Sequence, residues 1–191
     1  LAPERFTPGM AAWFWAVLGL GVLLKGPIAP MVPLLAGITL AVMDRPRGAR
    51  FWRLSAPWLP ALRPGWGLPL MVLFAAPWFV AIGIATEGRF FTEALGGDMF
   101  DKVGSGEEAH WGPPGMYAAI FGITAFPSAW IVLRGLPGAW AERMAAPVRF
   151  LLAWAVPTWL LFEAVQTKLP HYVLPAFPAL MLLGARWALD P

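Results

Sequence analysis

Three side chains that can hold an anion crowd one short joint: Lys168, His171 and Tyr172, set around Pro170 in "EAVQTKLPHYVLPAFPAL". An ammonium, an imidazole and a phenol all donate hydrogen bonds, and a helix starting after them would add the positive end of its dipole. At membrane depth the anion such a group receives is a lipid phosphate. The rival reading is an interfacial anchor, because Lys and Tyr favour the headgroup zone in any case. Glu163 and Gln166 lie a turn or so earlier. Lys25 makes a second candidate in "LLKGPI", where Gly26 and Pro27 break the chain directly after it. It reads equally as a snorkelling lysine at a helix end and as an ionisable group held at a functional break. His110 follows Glu107 and Glu108, so N/O ligation of a divalent ion is chemically open; a solvated loop histidine is the alternative.

These residues are set in apolar sequence. The 191 residues are 59% hydrophobic and 13% charged, with 12 Trp and 13 Phe, and the mean hydropathy is +0.63. That balance suits a lipid solvent better than water. A net charge of +3 with arginines confined to particular loops forms no basic stripe, which argues against nucleic acid. With no cysteine, disulfides and thiolate metal sites are excluded. The chain starts at Leu1 without a signal-peptide pattern and reads as a piece of a longer protein.

A crossing of the ~30 Å hydrocarbon core needs ~20 apolar residues. Six stretches qualify approximately: Met10–Leu24, Ile28–Met43, Gly67–Ala85, Gly115–Leu133, Phe150–Val165 and Tyr172–Leu189. They are continuously apolar, which disfavours a barrel, so the expected fold is an all-α polytopic bundle forming one transmembrane domain over 1–191. Arginine is concentrated in 44–66 (Arg45, Arg47, Arg50, Arg53, Arg63) and 134–149 (Arg134, Arg143, Arg149), marking both as cytoplasmic loops. The acidic segment 86–114 then lies on the extracytoplasmic side with the Lys25 turn and the Lys168 joint. Within it "RFFTEALGG" is spaced for a short interfacial helix.

The segments "LLKGPI", "GGDMFDKVGSGEEAHWGPPGMY" and "TKLPHYVLPAFPALMLL" resemble, in this order, segments of bacterial integral-membrane glycosyltransferases of the aminoarabinose-transferase and protein-mannosyltransferase superfamily. The resemblance implies a GT-C type bundle in the bacterial inner membrane, active at the extracytoplasmic face. Such an enzyme moves a sugar from a polyprenyl-phosphate carrier to a lipid or protein acceptor, lipid A among them. It implies carrier-phosphate binding by Tyr172 with Lys168, beside which His171 and Lys25 are the further candidate donors, and a divalent metal at His110. The family's essential carboxylate lies in an earlier loop, so no catalytic base is assigned here, and this piece alone is expected to be inactive. A transporter or flippase and a non-catalytic scaffold are the rival classes.

Overall fold

The computed structural model describes residues 6–46, 48, 50, 53–93 and 112–189. Eight α-helices occur among them: α1 (Pro8–Lys25), α2 (Ile28–Met43), α3 (Pro64–Ala85), α4 (Arg89–Thr92), α5 (Met116–Thr124), α6 (Ala129–Ala141), α7 (Ala146–Ala164) and α8 (Phe177–Leu189). Two 3₁₀ turns, Leu59–Leu62 and Leu174–Ala176, lead into α3 and α8. No β-strand occurs among the described residues.

Local chemistry sets the helix ends. Thr7 caps α1 by accepting the Met10 N–H through Oγ1 at 3.3 Å, and Pro8 follows at the first helical position, where its missing N–H costs nothing. At the other end Gly26 takes φ 59° and returns its N–H to the Val22 carbonyl. The chain then reverses into α2 within two residues, as the expected tight turn requires.

The helices alternate in direction between two ends. α1 and α3 run parallel and pack together, Trp15 lying against Gly67 and Gly19 against Met71. A Cβ at Gly67 would overlap the Trp15 indole, so glycine is required for this approach. α2 returns antiparallel to α7: Asp44 at its end pairs with Arg149 near the start of α7. α5 and α6 make one crossing interrupted at residues 125–128, and α6 runs parallel to α8.

Apolar residues cover the outside. Leu24, Ile84, Ile123 and Trp130 are all exposed, and α1 and α3 are each long and apolar enough to span a bilayer. Only 17% of the α1 window and 6% of the α3 window is buried, so these are not core helices of a water-soluble fold. The core gathers between α5, α6, α7 and α8, where Tyr117, Phe121, Phe162, Val173 and Phe177 are buried and Ile28 and Met31 of α2 pack onto them.

Two boundaries differ from the sequence expectation. The loop expected over 134–149 is shorter, because α6 continues through Arg134 to Ala141 and α7 starts at Ala146. The Gly135–Pro137–Gly138 cluster that reads as a loop is a packing groove: Gly135 lies against Gly184, and Gly138 makes room for Trp187. The last crossing begins later than Tyr172. Residues 170–173 form turns, a 3₁₀ turn follows, and α8 starts at Phe177. Tyr172 therefore does not stand on the first turn of a helix, which removes the direct helix-dipole contribution from that argument.

Candidate functional site

The end opposite the Asp44–Arg149 pair carries the joint. α7 stops where Val165 turns extended, leaving its last carbonyls without intrahelical partners. Lys168 fills that need. Its Nζ donates to the carbonyl oxygens of Glu163 at 2.6 Å, Val165 at 2.6 Å and Phe162 at 3.4 Å. An ammonium has three N–H groups, and all three are used. The residue is only 4% exposed, and Nζ also lies 5.6 Å from the centre of the buried Tyr117 ring, within cation–π range.

Glu163 does the complementary job for α5. Its carboxylate accepts the Gly115 N–H through Oε2 at 2.9 Å and the Tyr117 N–H through Oε1 at 3.1 Å, a capping interaction supplied from 46 or more residues away. Oε2 lies 3.9 Å from Lys168 Nζ. One ion pair thus holds the start of α5 and the end of α7. Gly112 adds a third tie, its N–H meeting the Gln166 carbonyl at 3.4 Å.

Lys168 therefore does not present its charge outward as the sequence reading expected: it braces the joint from inside. His171 is exposed and stands edge-on to Tyr172 at 5.0 Å. Tyr172 is half-buried and leans on Phe162 at 6.1 Å. Lys25 is exposed on the last turn of α1, a position a cation favours. It is three residues from Ile28, which packs on the cluster that Tyr172 also joins. Lys25, His171 and Tyr172 thus share one end of the bundle, with Lys168 behind them.

His110, Glu107 and Glu108 lie outside the described residues, as does most of the 86–114 segment. Its described beginning is α4, whose Phe90 and Phe91 pack on Trp78 and Phe79 of α3. Among the described residues no three His, Asp or Glu side chains come together to hold a metal. Sequence reasoning passed over Tyr117 and the capping role of Glu163. A lysine just past a helix end is a recognisable C-terminal cap, but the Glu163 contacts carry no local signal.

No protein-family model matches the chain. It is 30% identical over 182 residues to the undecaprenyl phosphate-alpha-4-amino-4-deoxy-L-arabinose arabinosyl transferase of Pectobacterium carotovorum subsp. carotovorum, covering 91% of this chain and 30% of the relative. It is 30% identical over 187 residues to the enzyme of the same name from Yersinia pestis (strain Pestoides F), covering 95% and 31%. This chain is a relative of the aminoarabinose transferases. It spans about a third of their length. The fold agrees: a crystal structure of ArnT from Cupriavidus metallidurans, bound to undecaprenyl phosphate, superimposes with a TM-score of 0.79 at 19% identity, over 96% of this chain and 31% of that one. The architecture is thus an all-α transmembrane bundle of the GT-C type, represented by about a third of it.

Proposed function

We propose that this chain supplies the carrier-phosphate end of a membrane glycosyltransferase. The reaction moves an amino sugar from a polyprenyl phosphate to a lipid acceptor on the extracytoplasmic side. The observation that carries this reading is the braced joint. Lys168 and Glu163 fix the backbone that bears His171 and Tyr172, in a chain related throughout to enzymes named for an undecaprenyl phosphate sugar.

In the transfer, an acceptor oxygen forms a bond to the anomeric carbon while that carbon's bond to the phosphate oxygen breaks. Negative charge grows on the departing phosphate. Lys25, His171 and Tyr172 are donors suited to that charge, and pre-fixed donors stabilise a transition state without reorganising. The acceptor oxygen's proton passes to the carboxylate that the family resemblance places in an earlier loop. The concentration of arginine at the opposite end supports the orientation.

Tyr172→Phe and His171→Ala in the full-length protein test the assignment. Each is expected to insert and fold normally and to lower transfer from a defined polyprenyl-phosphate amino sugar by at least ~10-fold, about 1.4 kcal/mol of transition-state stabilisation. Wild-type turnover in both variants would reduce the pair to interfacial anchors.

A further inference from the structure

A second feature lies at the opposite end and has no part in the phosphate site. A cavity of about 460 Å³ opens between α1, α2, α7 and the loop before α3, walled by Phe14, Val32, Leu40, Trp58, Phe150 and Trp154. Its volume is in the range of small-ligand sites. From Val32 to Leu40 the α2 wall covers roughly 12 Å at 1.5 Å per residue, nearly the depth of one leaflet of a ~30 Å core.

The wall is apolar, and basic residues gather at the same end of the bundle. Nε of Arg149, the residue next to Phe150, is buried without an acceptor. Arg149 spends one of its other nitrogens on Asp44 at 2.8 Å, the acid one turn beyond Leu40. Arg53 and Arg63, both exposed, stand on the loop that carries Trp58. That loop is fixed to the bundle at two points: the Ser55 N–H donates to the Ala41 carbonyl at 3.0 Å, and Trp15 Nε1 donates to the Leu62 carbonyl at 2.7 Å.

We infer that this cavity holds one acyl chain of an anionic glycerophospholipid from the leaflet on the arginine side, its phosphate drawn by the Arg53 and Arg63 charges. An apolar protein helix would fill the cavity but bring nothing to the two arginines, whereas an anionic phospholipid brings the apolar tail and the opposite charge together. Phospholipid headgroups attract basic side chains at a membrane surface in the same way.

The test uses the full-length protein in vesicles containing phosphatidylglycerol with a photoactivatable group midway along one acyl chain, and matched vesicles with phosphatidylcholine. Labelling is expected on the peptides bearing Trp58, Phe150 and Trp154, at least ~5-fold stronger for phosphatidylglycerol, consistent with a charge-driven preference of about 1 kcal/mol per basic residue. Ala61→Trp, which fills the cavity from the loop, should abolish it. The exposed pair Arg53→Ala with Arg63→Ala should fold normally and erase the headgroup preference. Absent labelling, equal labelling by the two lipids, or a preference that survives the double arginine variant overturns the inference, as does labelling displaced onto another segment of the same protein. Sugar transfer is read in parallel and is expected to persist in the arginine variant, which separates this site from the phosphate end.

Discussion

Two ion pairs at opposite ends of the bundle use charge in opposite ways. At the arginine-bearing end, Glu142 and Arg186 pair at 2.7 Å with both side chains nearly half exposed. At the other, Lys168 is all but fully buried and bonded to three carbonyl groups, while Glu163 takes two amide N–H groups. An exposed pair is screened by water and contributes ~0–1 kcal/mol. A buried pair repays its desolvation only when the remaining hydrogen-bonding capacity is satisfied, and here the partners are backbone groups at two helix ends. The exposed Glu142–Arg186 pair adds little to the fold, whereas the buried Lys168–Glu163 pair splices two helix ends together.

Stability measurements can break that comparison. Lys168→Met should be the most damaging single change, since it strands the carbonyls of α7 and leaves the Glu163 carboxylate beside an apolar chain. A loss of ~3–5 kcal/mol is expected, read as a fall in the thermal midpoint of the purified full-length protein. If Lys168→Met unfolds like the wild type but abolishes transfer, the ammonium works on substrate and not on the fold. Glu163→Gln keeps one acceptor oxygen and forfeits the other; ~1–2 kcal/mol should go, with the thermal midpoint falling less than for Lys168→Met. Glu142→Ala should cost ~0.5 kcal/mol or less, within the scatter of the same assay. An ordering in which Glu142→Ala equals Lys168→Met would erase the distinction between the ends.

Much of the bundle was legible before the structure. The apolar runs outlined the helical passes of the bundle, because lipid demands long uncharged segments and leaves little freedom in placing them. Reading failed where tertiary packing overrode local punctuation. Gly135, Pro137 and Gly138 look like a loop and instead let α8 lie close against α6. The joint was visible as a cluster of donors, but the direction of Lys168 was not, because three donors adjacent in sequence need not share a face. The Glu163 bonds to Gly115 and Tyr117 join residues 46 and more positions apart, and no local pattern announces them. The short segments that resemble glycosyltransferases pointed to the relatives that the whole-chain comparison then supplied.

The meeting of Trp15 with Gly67 has a consequence for how such a chain can evolve. The indole occupies the space a Cβ would need and also donates the hydrogen bond that fixes Leu62. Neither position is free to drift alone: a larger residue at 67 evicts the ring, and a smaller one at 15 opens a hole and strands the Leu62 carbonyl. The two form a single unit of inheritance, with glycine tied to tryptophan across a distance of 52 residues in sequence. A lineage that escapes the pairing has to pass through a state in which the first and third helices no longer fit.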